Sequence, residues 1–163
     1  MYWYSLSMNK LSTIIFLAIS NIVMSNFALA QHDHSHVTSA EDSRIAVEFP
    51  ESMKQHTLTS MRDHLLAISQ IQEAIGNGQY DQAAHIAETR LGQSALKSHH
   101  ALESSKFMPK GMQDIGSQMH RSASKFAVEV QNSSATGDVK QALLALSKTT
   151  QSCVACHSAY KLK

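Results

Sequence analysis

Apolar residues recur at intervals of three and four along four segments of the chain, the spacing that gathers them on one face of an α-helix. Proline is almost absent from these segments, and none of them shows the alternation typical of a strand. The segments run from about Pro50 to Ile75, from Asp81 to Ser104, from Gly111 to Asn132, and from Asp138 to the C-terminus. Four helices with short connections predict an all-α fold, an antiparallel four-helix bundle.

The apolar stripes indicate which side of two of these helices faces the core. In the first segment the stripe consists of Leu58, Met61, Leu65, Ile68 and Ile75. In the last segment it consists of Val139, Leu143, Leu146, Thr150, Cys153 and His157. We therefore expect Cys153 and His157 to face the interior, with Cys156 one turn from Cys153 and near the same face.

The first 30 residues have the pattern of a secretory signal peptide. Lys10 precedes an apolar run, Leu11 to Val23, and Ala28-Leu29-Ala30 supplies the small residues of a cleavage site. The run is short and interrupted by polar residues, which disfavours the alternative, a retained membrane anchor. The pattern predicts export to a bacterial periplasm with cleavage near Ala30, after translation from Met1 or from Met8.

Cleavage leaves enough chain for one domain, with a flexible tail at 31–47 and a helical domain at 48–163. It removes one of the 14 Lys and Arg residues, Lys10, and none of the 13 Asp and Glu residues. The balanced charge that remains argues against nucleic acid, which needs a basic surface. The alternating histidines of the tail, His32, His34 and His36, suit weak metal binding or simply a solvated linker.

The only two cysteines of the chain stand in the sequence CVACH, close to the C-terminus. Cys-x-x-Cys-His is the attachment signature of a c-type haem. The thiols of Cys153 and Cys156 would add to the two vinyl groups of the porphyrin, and His157 would ligate the iron as its proximal ligand. The motif therefore predicts one covalent haem c.

Three other interpretations of CVACH were weighed against haem. A thioredoxin-like redox pair lies near a βαβ pattern, which this sequence does not show. A zinc site needs further ligands, for which His99 and His100 are candidates, but there is no second cysteine pair. A disulfide between adjacent turns of one helix would constrain little. For an exported chain with only these two cysteines, haem is the favoured interpretation.

The chain resembles the class II cytochromes c, the four-helix group that contains cytochrome c prime and its low-spin, Met-ligated relatives. The stretch CVACHSAYK, from Cys153 to Lys161, follows the family pattern CxxCHxxY/F with a basic residue after it. The stretch GQYDQAA, from Gly78 to Ala84, resembles the start of the family's second helix. The resemblance covers roughly Val47 to Lys163 and implies that Lys161 lies close to the haem; many relatives form antiparallel homodimers.

The resemblance also implies that a residue of the first helix lies on the distal side of the haem, and Met61 occupies that position. Low-spin members bind iron there through a Met thioether, a soft ligand that raises the reduction potential. If the position falls instead on Leu58, the iron stays five-coordinate. His56 and His64 are the imidazole alternatives on the same helix.

No paired acids, nucleophile triad or phosphate loop is visible, so we do not expect an enzyme. The leading expectation is a periplasmic electron carrier, free of the membrane after cleavage, that exchanges one electron with redox partner proteins. One alternative is a five-coordinate cytochrome that binds nitric oxide or carbon monoxide. The other is a copper- or metal-handling protein that uses the tail and a set of Met and His residues which core packing also explains. That set is Met108, Met112, Met119, His99, His100 and His120.

Overall fold

The computed structural model describes residues 41–163. The predicted signal peptide, its cleavage point near Ala30, and the tail histidines His32, His34 and His36 lie outside the described residues. The structure therefore bears on the helical domain and on the last residues of the segment predicted as a tail.

The described chain is mostly helical, which agrees with the predicted all-α class. A short strand comes first and another comes last, with five α-helices and one 3-10 turn between them. In chain order the elements are β1 (Ile45–Val47), α1 (Glu51–Gly76), α2 (Tyr80–Arg90), the 3-10 turn (Gln93–Ala95), α3 (Ala101–Ser105), α4 (Lys110–Thr136), α5 (Lys140–Ala159) and β2 (Tyr160–Leu162).

Three of the four predicted helices have ends within a few residues of those expected. Helix α1 ends at the Gly-Asn-Gly sequence, where Gly78 takes a left-handed conformation with φ of 70°. Helix α4 ends at Gly137, which is also left-handed, with φ of 72°. Glycine adopts this conformation without a Cβ penalty, so it terminates helices readily. The N-cap of α5 is Val139, not Asp138; the Asp138 carboxylate accepts the N–H of Lys140 at 2.9 Å in a turn just before the helix.

The second helix was predicted to continue to Ser104, and this is wrong: α2 ends at Arg90. The Gly92 N–H donates to the Ala87 carbonyl at 2.7 Å, which folds the chain back on the helix end. A Cβ at Gly92 would lie only 2.8 Å from the carbonyl oxygen of Glu88, so the turn needs a glycine. The Glu88 carboxylate then accepts the Ser94 N–H at 3.0 Å and fixes the turn.

The two strands were not predicted, and each has only three residues. They pair in parallel, with Ile45 opposite Tyr160 and Val47 opposite Leu162. Three residues are too few for an alternating pattern to stand out in a sequence. The pairing holds the chain before α1 against the end of α5, beside the CVACH motif.

Helix α1 packs on α2, α2 packs on α4, and α4 packs on α5. The core between them is built from small side chains of α2 and larger ones of α1 and α4. Its fully buried members include Ile71, Ala83, Ala87, Phe126, Val130 and Ala142.

The predicted core stripe of α5 is correct at Leu146 and Cys153, which belong to or pack against the main core, and wrong at Leu143 and His157. The buried residues of α5 are Ala142, Leu146, Thr149 and Ser152. Leu143 is 49% exposed, and His157 is exposed. The small Ala, Thr and Ser side chains face α4, which brings the large buried side chains Phe126 and Val130, so the two helices approach closely along this line.

The predicted stripe of α1 is correct only in part. Ile68 and Ile75 pack against the core, whereas Leu65 is 72% exposed. The buried line of this half of α1 runs through Ala67, Ile71 and Ala74. Leu65 lies on a different side of the helix from these residues, because each residue turns the helix by 100°.

Candidate functional site

A cleft of about 320 Å³ lies beside the C-terminal end of α5. It is lined by residues of α1, α4, α5 and β2, and by Arg44, which precedes β1. From α1 come Lys54, Thr57, Leu58 and Met61; from α4 comes Met112; from α5 come Cys156 and His157; and from the strands and their flanks come Arg44, Tyr160, Lys161 and Leu162. The size is at the lower end of the range for ligand pockets in proteins.

The cleft lies between two long helices, α1 and α5, that do not pack extensively on each other within residues 41–163. They stand at the two ends of the packing order of the helices. The gap between them is therefore lined by both. A small core, separate from the main one, lies beside the gap; its buried members are Val47, Phe49 and Met112.

The two cysteines lie half-buried on consecutive turns of α5, and both thiols are free. Cys156 belongs to the small core at the cleft, whereas Cys153 packs against the main core. Burial raises the pKa of both thiols, and for Cys156 the neighbouring Cys153 raises it further. Both are therefore protonated at neutral pH, which suits a latent attachment point better than a reactive thiolate.

His157 borders the cleft from an exposed position, not from the buried stripe on which it was predicted. Its carbonyl oxygen accepts a hydrogen bond from the Arg44 guanidinium at 3.3 Å. That contact ties the residue just before β1 to the end of α5. The backbone of His157 is therefore held by Arg44, while its imidazole is exposed at the border of the cleft.

Met61 is half-buried and lies on the wall opposite Cys156 and His157. Leu58 and Thr57, one turn earlier on α1, share that wall. The structure thus brings both non-histidine candidates for the distal residue into the cleft. The two imidazole alternatives are directed elsewhere, since the ring of His56 lies 4.6 Å from that of His100 and the ring of His64 lies 4.7 Å from that of His99.

Basic side chains line the cleft, one of which, Lys54, lies 4.0 Å from the Glu51 carboxylate, and one buried hydroxyl lies among them. Arg44, Lys54 and Lys161 line it, and among its lining residues in the described chain none is acidic. Thr57 is 5% exposed, and its hydroxyl has no hydrogen-bond partner in the described structure. A buried hydroxyl without a partner costs free energy. The cleft is therefore suited to a mostly apolar ligand that carries negative charge at one edge.

The sequence alone did not identify several of these lining residues: Arg44, Lys54, Thr57 and Met112 were not assigned to the site. Lys54, Leu58 and Met61 are spaced by four and three residues, so they share one face of α1. Extending this face of α1 from Met61 by two turns toward the N-terminus would have identified Lys54. Nothing in the sequence points to Arg44, because it reaches the site through the strand pairing.

The set of Met and His residues in the middle of the chain is divided by the structure. Met119 belongs to the main core, and Met112 belongs to the small core at the cleft. Within residues 41–163, no group of three or more His, Cys, Asp or Glu side chains stands ready to hold a metal ion. No helix in that range is both long and apolar enough to cross a membrane.

Comparison with known proteins gives no relative from which a function could be transferred. No protein family, no curated protein and no solved structure matches the chain. The cleft and the motif that borders it are therefore the features that bear on function.

Proposed function

We propose that this protein is a periplasmic monohaem c-type cytochrome that resembles the class II cytochromes c and carries single electrons between protein partners. The observation that carries the proposal is the cleft, where Cys156 and His157 of the CVACH motif share one cavity with Met61. These three residues come from the two helices that leave a gap in the packing.

The donor set of the cleft fits a haem. Cys156 supplies one thiol, His157 supplies an imidazole, and Met61 supplies a thioether on the other wall. The second thiol, that of Cys153, lies one turn earlier on α5 against the main core and does not line the cleft. The side chains of Leu58, Met112 and Leu162 offer an apolar surface to a porphyrin. The three basic residues of the cleft suit the two propionate groups at its edge.

The finer fold belongs to the same proposal. The four long helices α1, α2, α4 and α5 would form the antiparallel four-helix bundle expected from the sequence, with the haem between the first and the last. The consecutive packing of these helices and their short connections support it. Helix α3 and the 3-10 turn then form an enlarged connection between the second and third helices of the bundle.

When bound, the haem supplies a one-electron couple at its iron. The protein's own residues hold and surround the group. His157 and Met61 would hold the iron, and the thiols of Cys153 and Cys156 would attach the porphyrin by adding to its vinyl groups. Met112 and Leu58 keep water away, and low polarity around a haem is one of the means by which a protein sets its potential.

Binding of nitric oxide or carbon monoxide is the second candidate function, and one observation favours it. Leu58 lines the same wall as Met61, one turn away. If Leu58 rather than Met61 covers the iron, the distal position stays open to a small gas. The two functions therefore differ in which of two neighbouring side chains reaches the metal.

Absorption spectra test both candidates. The protein is produced in cells that mature c-type cytochromes, and its oxidised and reduced spectra are recorded beside those of Met61→Leu and Met119→Leu. We expect low-spin spectra with a weak sulfur-to-iron band in the parent and in Met119→Leu, because Met119 lies in the main core. We expect the band to vanish in Met61→Leu.

A high-spin parent that binds carbon monoxide would favour gas binding. Covalent haem that persists after Cys153→Ser and Cys156→Ser together, or no haem in the parent, would contradict the cytochrome itself. Export is tested separately by fractionating cells, with the protein expected in the periplasm and shortened near Ala30.

A further inference from the structure

Three imidazoles from three parts of the chain lie together at a place apart from the cleft. His64 is on α1, His99 lies in the turns before α3, and His120 is on α4. The ring of His120 lies 5.5 Å from that of His99 and 6.3 Å from that of His64. None of the three lines the cleft.

We propose that His64 and His99 bind a tetrahedral divalent ion such as Zn²⁺, at a site independent of the haem. The His64 Nε2 and His99 Nδ1 atoms lie 3.4 Å apart. Two imidazole nitrogens that each lie about 2.0–2.1 Å from a tetrahedral zinc ion are about 3.4 Å apart. Hydrogen bonds are usually shorter, at about 2.7–3.2 Å, so hydrogen bonding accounts less well for this spacing.

His120 is oriented as metal-binding histidines usually are. Its Nδ1 lies 2.8 Å from the Leu91 carbonyl oxygen, which can only accept, so Nδ1 carries the hydrogen. Nε2 then keeps its lone pair, and the backbone hydrogen bond fixes the tautomer. Within residues 41–163 no third protein ligand stands in place, so water completes the shell around His64 and His99, while His120 stays beside the pair on the Leu91 carbonyl.

The charge state of the His64 and His99 rings also suits a metal. Burial lowers the pKa of His64 to about 4, with further lowering by His99 and His120. Burial lowers the pKa of His99 as well, followed by the effect of His120. Neutral imidazole is the form that binds metals, so protons do not compete near pH 7. The adjacent Asp63 carboxylate already accepts hydrogen bonds from Arg90 and is not needed as a ligand.

The elements that carry these histidines determine what the metal would do. His64 lies in the middle of α1, and His99 lies in the irregular stretch that follows the break of the second helix. A metal would join the longest irregular connection of the domain to a long helix. Binding to the folded state alone raises the apparent stability in proportion to the logarithm of the metal concentration.

Zinc titration by calorimetry tests the site, using the full chain with His32, His34 and His36 changed to Gln in every sample so that the tail contributes nothing. We expect His64→Gln and His99→Gln each to weaken zinc binding by at least about tenfold. The matched control is His85→Gln, because His85 is an exposed histidine of α2; its affinity should equal that of the parent. Equal affinities in all four proteins would overturn the proposal.

A second measurement needs no substitution at the site. The imidazole ¹⁵N resonances of the same parent are recorded with and without zinc. Large shifts of the His64 Nε2 and His99 Nδ1 signals are expected, together with a rise in melting temperature. Shifts confined to other residues, His157 among them, would overturn the assignment even if zinc binds.

Discussion

The two cores of this domain differ in how they are closed. The main core lies between packed helices, and Ala83, Ala87 and Phe126 within it are fully buried. The small core at the cleft has three buried members, and the residues around it, Cys156 and Tyr160 among them, are only partly buried. The first is closed by close contact of helices. The second is open on one side, where α1 and α5 separate.

The main core stabilises the fold, whereas the cleft is the candidate binding site. In the main core, small residues of one helix meet large residues of the next, so the volume is filled by the chain itself. At the cleft, soft sulfur atoms, an imidazole, three cations and an unpaired hydroxyl surround space that the chain leaves unfilled. We infer that the closed core holds the helices in place so that the open one can bind a group.

Truncation of one aromatic residue in each core should show the largest difference. Phe126→Ala should lower the free energy of unfolding by about 3–5 kcal/mol, because the cavity it leaves is closed on all sides. Phe49→Ala should cost less, since Phe49 borders the open core and is 8% exposed. Urea unfolding of the two variants and the parent measures both losses. Equal losses would mean that the small core is as closed as the main one.

Acid should destabilise the protein through the histidines beside the main core. The unfolded pKa of His64 is about 6.5 and its folded pKa is about 4, so the unfolded state binds more protons between these values. Stability is therefore full above about pH 6.5 and falls as the pH drops toward 4, by on the order of 3 kcal/mol for this residue. The ionisable side chains that surround His64 are His99, His120, Asp63 and Arg90.

Unfolding in urea at a series of pH values, with a chelator present, measures this slope. His64→Gln should flatten it between pH 6.5 and 4, whereas His85→Gln should leave it unchanged. A slope that His64→Gln does not alter would place the acid sensitivity elsewhere. In that case the burial of His64 would not be the cause of the loss of stability in acid.

The same contrast explains which parts of the structure the sequence predicted. The helices at Glu51–Gly76, Lys110–Thr136 and Lys140–Ala159 were predicted because apolar periodicity and glycine stops are local signals. The break after Arg90 was missed, because it depends on how Gly92 folds back against Glu88. The stripe of α5 was partly misplaced because Ala, Thr and Ser were among the buried residues, and periodicity favours larger ones.

Prediction of the site followed the same division. The CVACH motif indicated Cys153, Cys156 and His157, and the resemblance indicated Met61 and Lys161; all of these except Cys153 line one cleft. Arg44 and Thr57 were not found. Arg44 comes to the cleft only through the parallel pairing of two three-residue strands, and an unpartnered hydroxyl becomes visible only when its surroundings are known.

The unpaired hydroxyl of Thr57 allows the smallest and most specific test of the open core. Thr57→Val keeps the shape of the side chain and removes a buried polar group without a partner, so the haem-free protein should gain about 1 kcal/mol of stability. Thr149→Val is the matched control, because the Thr149 hydroxyl lies 3.4 Å from the Ala145 carbonyl and is buried in the closed helix contact. It should gain nothing or lose stability.

If haem or its bound water satisfies the Thr57 hydroxyl, the gain in stability should disappear in the haem-loaded protein. Urea unfolding of the haem-free and haem-loaded forms measures the difference. A gain of equal size in both forms would show that nothing in the filled cleft reaches Thr57, and the α1 wall at that level would then be packing surface and not part of the binding site.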